Sequence, residues 1–162
     1  LGRNRLNKPI RDYVSNSGSN QITGDPHSSV YISKRINIQN PASSLKVLLS
    51  AYRDASSDFR VLYRLFKSDS TEVEQSYIPF PGYTNLLDVD GDGFGDQIIN
   101  SSDNNGLPDK FVRASKVDEF VNYQFSVDDL DQFNGFQIKI VMNGTDESKP
   151  VKMKDLRVIA LA

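Results

Sequence analysis

Apolar side chains recur at every second position through most of this chain, the period of a strand with one face in a core and the other outside it. Val30, Ile32, Ile36 and Ile38 fall on one side, Tyr31, Ser33, Arg35 and Asn37 on the other, and only Lys34 interrupts the alternation. This reads as one half-buried strand. Beyond the turn residues Asn40-Pro41-Ala42-Ser43-Ser44, Leu45, Val47, Leu49 and Ala51 alternate with Lys46, Leu48, Ser50 and Tyr52. Phe59, Val61, Tyr63 and Leu65 then alternate with Arg60, Leu62, Arg64 and Phe66. A shorter strand is expected from Tyr77 to Phe80, closed by Pro81-Gly82.

The pattern returns with Val121, Tyr123, Phe125 and Val127, and again with Phe136, Ile138, Ile140 and Met142. A last run, Val151 to Leu161, slips phase near Asp155, where Val151 and Met153 give way to Leu156 and Val158; a β-bulge accounts for the slip. Leu107 to Val121 has room for a short helical turn and no more. Strands at this spacing predict an all-β chain, an antiparallel two-sheet β-sandwich of jelly-roll-like character. The sandwich is expected over residues 30–162, with an acidic loop insert at 81–112. Residues 1–29, polar and turn-rich, read as an extended strap or linker.

Composition narrows the chemistry. A chain of 162 residues suits one core. A net charge of −2 gives no global field for nucleic acid. No apolar run approaches the roughly 20 residues of a membrane span, so no membrane insertion is expected. The start at Leu1 reads as a piece of something longer. The absence of cysteine removes disulfides, thiolate catalysis and cysteine-based zinc sites, and His27, beside a turn, is the only histidine. Asp128 and Asp129 invite a glycosidase reading, but neighbours at a strand end point apart, and a turn after Val127 explains them better.

Charge is unevenly placed. Between Lys67 and Lys110 there is no cation, while Asp69, Glu72, Glu74, Asp88, Asp90, Asp92, Asp96, Asp103 and Asp109 all fall there. Asp88, Asp90, Asp92 and Asp96 occupy positions 1, 3, 5 and 9 of a calcium loop, with the Phe94 carbonyl available at position 7. Ile99 stands where an EF-hand has its bidentate Glu, so this is not an EF-hand. Asp103, Asn105 and Asp109 echo the spacing. Together the two stretches look like the helix-free aspartate-rich loops of thrombospondin type 3 repeats. Calcium is the expected cofactor; an ordinary exposed loop also uses Asp, Asn and Gly.

Asn100 and Asn143 begin glycosylation sequons, which matter only in a eukaryotic secretory setting. Most tyrosines fit core filling in a chain without tryptophan. Tyr52 and Phe66 fall on the second faces of their strands and are the candidate ligand-binding aromatics. Leu48, Tyr52, Leu62 and Phe66 are expected to lie under a neighbouring subunit.

Four stretches carry a resemblance: Thr23 to Lys34 (TGDPHSSVYISK), Asn40 to Arg53 (NPASSLKVLLSAYR), Phe133 to Met142 (FNGFQIKIVM) and the ending KDLRVIALA. Together they resemble the C-terminal region of virion structural proteins of contractile-tailed cyanophages and related marine phages. The resemblance implies a non-catalytic domain of a tail, baseplate or fibre protein, located in the virion. Its partners would be other virion proteins, with a homo-oligomer in the particle. The alternative is a calcium-dependent carbohydrate-binding module recognising a host-surface glycan. A carboxylate enzyme is the third and weakest reading.

Overall fold

The computed structural model describes residues 29–52, 54, 57–67, 76–80, 83–85, 97–98, 119–144, 146 and 148–162. Among them the chain forms ten strands and no helix: β1 (Ser29–Ile32), β2 (Ile36–Ala42), β3 (Ser44–Tyr52), β4 (Ser57–Phe66), β5 (Ile78–Pro79), β6 (Tyr83–Asn85), β7 (Gln97–Ile98), β8 (Val121–Val127), β9 (Phe133–Gly144) and β10 (Lys152–Leu161). One sheet has the order β1-β9-β4-β5, with β2 also on β9; the other runs β10-β3-β8-β6-β7. Every pairing is antiparallel. The fold is thus an all-β two-sheet sandwich. The chain passes repeatedly between its layers, from β3 to β4 and from β8 through β9 to β10, as a jelly-roll-like wrap requires.

The inward rows are those the alternation names. Leu45, Val47, Leu49 and Ala51 of β3 meet Phe59, Val61 and Tyr63 of β4, with Val121, Tyr123 and Phe125 of β8 and Ile138 and Ile140 of β9 in the same cluster. Aromatic edges pack the core: Phe59 stands edge-on to Tyr123 of the opposite sheet at 5.4 Å, and Phe80 to Tyr63 within one sheet at 4.9 Å. Such pairs add about 1 kcal/mol each beyond burial, and each fully buried large apolar side chain about 1.5–3 kcal/mol.

Three local features depart from an unbroken period of two. The expected strand from Val30 to Ile38 is two strands. Val30 and Ile32 lie opposite Val141 and Lys139 on the outer face, whereas Ile36 lies opposite the core residue Phe136, and Ile38 packs on the core. The phase changes at Ser33, whose hydroxyl accepts from the Ile138 amide at 2.9 Å while its own amide donates to the Ile138 carbonyl at 2.8 Å. On β10 the expected bulge is present: Lys154 faces Ser50 and Arg157 faces Leu48, so three steps oppose two, and Asp155 takes a φ of 54°. The turn after Val127 is also present, with Asp129 at φ 56° and the Leu130 amide donating to the Ser43 carbonyl at 2.9 Å.

Leu62 differs from expectation in another way. It is not available to a neighbouring subunit, because Tyr77 and Val141 already bury it in a small cluster on the outer face of β4 and β9. Of the strap, only Ser29 is among the described residues, where it opens β1. The helical turn expected within 107–121 and most of the insert at 81–112 lie outside them.

Candidate functional site

At one side of the sandwich the edge strands β1 and β10 belong to opposite sheets and leave a gap between the layers. A cavity of about 340 Å³ opens there, lined by Tyr31, Leu49, Ile140, Met142, Met153, Lys154, Asp155 and Leu156. This is within the size of clefts that take small ligands or a few side chains. Its walls are mainly apolar, and the bulge at Asp155 forms part of one lip. Above it, β1 exposes apolar residues on both its faces: Val30 is 37% accessible, Tyr31 44% and Ile32 43%. No described strand pairs with the outer edge of β1. Exposed apolar edge strands are normally covered, since their free N–H and C=O groups pair with any strand offered.

The outer face of β4 and β9 is built from cations and rings. Phe66 lies under the Arg35 guanidinium, 4.0 Å from its centroid, with Arg64 at 5.1 Å. Arg64 also stands 5.1 Å from the Tyr77 ring, and its Nε donates to Gln137 at 2.7 Å. Lys139, fully buried, places its Nζ 5.1 Å from the same ring. Burial raises the Tyr77 hydroxyl above the usual tyrosine range, partly offset by the Arg64 charge; Tyr63, in the core, is raised by burial alone. The closeness of β2 to β9 depends on Gly135, where a Cβ would lie 3.0 Å from Asn37 Oδ1 and 3.1 Å from the Ile36 carbonyl.

Tyr52 lies on the outer face of the other sheet. Its ring is half-buried, 6.1 Å from Phe120, with Lys152 at 5.4 Å; Lys154 stands 4.4 Å from the Phe120 ring. Beside them the Ser50 hydroxyl donates to the Asn122 side chain. Lys46 and Arg157 point out from the same face. Thus the two aromatics singled out from the sequence, Tyr52 and Phe66, sit on opposite outer faces and form no common platform.

Ion pairs among the described residues brace the ends. Lys67 meets Asp131 at 2.7 Å and holds its carboxyl below the usual range, and Lys149 reaches Asp54 at 3.8 Å. Asp128 and Asp129 are exposed on their turn. Asp88, Asp90, Asp92, Phe94, Asp96, Asp103, Asn105 and Asp109 lie outside the described residues, as does His27. Among the described residues, no group of three or more His, Asp or Glu gathers to hold a metal.

Sequence reasoning missed the edge cavity, because Met142, Met153 and Tyr31 are far apart in the chain and meet only through sheet order. It also missed Lys139 and Arg60, buried although they occupy outward strand positions. No protein-family model, curated protein or solved structure matches this chain.

Proposed function

We propose that this domain is a non-catalytic assembly module of a phage virion, tail or baseplate associated, in which a neighbouring chain covers the β1 edge. The observation that carries the reading is the row Val30, Tyr31 and Ile32, exposed on an edge that no described strand pairs, with Tyr31 lining the apolar cavity. An extended segment of a neighbour adding to β1 pairs the free backbone groups, and one apolar side chain from it fills the cavity. The four stretches that resemble cyanophage virion proteins include β1 itself, and they support the choice of a particle as the setting. A calcium-bound aspartate loop belongs to the same proposal and rests on the sequence spacing alone.

The test is cryo-microscopy of the intact particle at side-chain resolution. The expected result is density for another chain within hydrogen-bonding distance of β1, with a side chain between Met142 and Met153. A β1 edge facing open solvent in the assembled particle overturns the reading.

The second reading, a glycan-binding module, is favoured by one observation: Tyr52 is partly accessible beside Phe120 and hydrogen-bonding Ser50 and Asn122. Phe66 suits it less, because the Arg35 guanidinium covers its ring. Glycan-array hits lost on Tyr52→Ala decide for it.

A further inference from the structure

The Ser33 amide donates to the Ile138 carbonyl at 2.8 Å, so residue 33 turns its backbone groups toward β9. These groups alternate in direction along a strand. With Tyr31 opposite Ile140 in the same register, Tyr31 also turns them toward β9, whereas Val30 and Ile32 turn their N–H and C=O groups to the outer edge. No described strand meets them there. Side chains divide by the same parity: Val30 and Ile32 share one face, and Tyr31 lines the cavity on the other.

An antiparallel partner must set residues of like face opposite each other, and backbone bonds form only where both strands turn their groups to the seam. A second β1 meets both conditions when a two-fold axis passes through Tyr31. Val30 then faces Ile32 of the second copy, and Ile32 faces its Val30, which closes four backbone hydrogen bonds. The two Tyr31 residues form the close, non-hydrogen-bonded pair between them, with Cα atoms about 4.5 Å apart. An axis through Val30 or through Ile32 closes only two bonds between the β1 strands and sets Tyr31 against a serine. Charge does not oppose the contact of like with like: β1 has no charged side chain, and the adjoining cavity lip holds one cation and one anion, Lys154 and Asp155.

We propose that β1 pairs with β1 of a second copy of this chain about a two-fold axis through Tyr31, so that one sheet runs through both copies. The inference rests on the assembly reading and names the neighbour. Each edge is self-complementary, as a two-fold contact requires. Four residues a side are few against the roughly 20–30 of a standard interface, so the dissociation constant is expected at about 0.01–1 mM.

Because the chain has no cysteine, single cysteines report the register without background. Tyr31→Cys is expected to form an intermolecular disulfide under mild oxidation at least about tenfold faster than Val30→Cys or Ile32→Cys, since only residue 31 meets itself within disulfide reach. Val30→Cys mixed with Ile32→Cys is expected to give the mixed dimer in preference to either self-dimer. Sedimentation velocity of the full wild-type chain at about 0.01–1 mM is expected to show a monomer–dimer equilibrium. The variant Val30→Lys/Ile32→Lys, which sets lysine opposite lysine at the seam, is expected to stay monomeric with an unchanged melting temperature. A wild-type chain that remains monomeric throughout overturns the proposal, as does a dimer that persists in the lysine variant or cross-linking no faster at residue 31 than beside it. Each of these outcomes refutes the second copy and leaves the assembly reading to the particle, where a different chain on β1 still satisfies it.

Discussion

Met142 of β9 and Met153 of β10, the only methionines of the chain, come from opposite sheets and line the same edge cavity. Unbranched thioethers adapt to an irregular space that a branched side chain fills poorly. Each is half-buried against the core. Truncating either one enlarges a cavity that the layers cannot close, because the backbone spacing on both sides is fixed by β9 and β3. Met142→Ala and Met153→Ala are each expected to cost about 2 kcal/mol, read from urea unfolding midpoints at unchanged slope. A loss under about 0.5 kcal/mol for both would show that the edge collapses freely.

Tyr77 covers Leu62, Val141 and the buried Lys139 from outside the sheet. Tyr77→Ala exposes all three and is expected to destabilise by about 3 kcal/mol, whereas Tyr77→Phe keeps the ring and loses far less. Chemical denaturation of both variants checks the difference; equal losses would assign the effect to the hydroxyl.

Asp155 holds the β10 bulge at φ 54°, a conformation costly for a side chain with a Cβ. Asp155→Gly is expected to raise stability by about 0.5–1 kcal/mol, and Asp155→Val to lower it by about 1–2 kcal/mol. Thermal melts of the pair read the sign. A stabilised valine variant would mean that β10 re-registers without the bulge.

Burial holds the hydroxyls of Tyr63 and Tyr77 above the ordinary value of 10.0. The neutral form is therefore favoured in the folded chain, and an unfolded tyrosine ionises first. Stability from these residues is complete below about pH 10 and lost as pH rises through their folded values. Denaturant unfolding at successive alkaline pH values is expected to show this loss, and Tyr63→Phe to diminish it. A Tyr63→Phe curve that parallels wild type throughout contradicts the assignment.

Calcium is expected to bind Asp88, Asp90, Asp92 and Asp96 in the low millimolar range or tighter, with heat in calorimetry abolished by Asp90→Asn/Asp92→Asn. A flat wild-type titration removes calcium from the proposal.

Much of the fold was legible in the chain, because a strand's period of two is written directly in its side chains. The rows Leu45 to Ala51, Phe59 to Leu65, Val121 to Val127 and Phe136 to Met142 all have their apolar members in or against the core. Even the bulge at Asp155 shows in the slip from Met153 to Leu156. The candidate site was far less legible. Tyr52 and Phe66 share a sequence pattern yet lie on different sheets, one beside Phe120 and lysines, the other under Arg35.

What the sequence determined by itself is the period, and with it the strands, their inward rows and the two-layer architecture, since burying one face of each strand is the main driving force. Only the tertiary structure decided which strands lie at the edges, that Val30 and Ile32 stand opposite the outer-face residues Val141 and Lys139 while Ile36 stands opposite Phe136, and that Tyr77 reaches back over Leu62. The reason is that alternation divides side chains into two sets without saying what stands opposite either set. That choice is made by strand order and register, through contacts between residues up to about a hundred positions apart, such as Ser33 and Ile138.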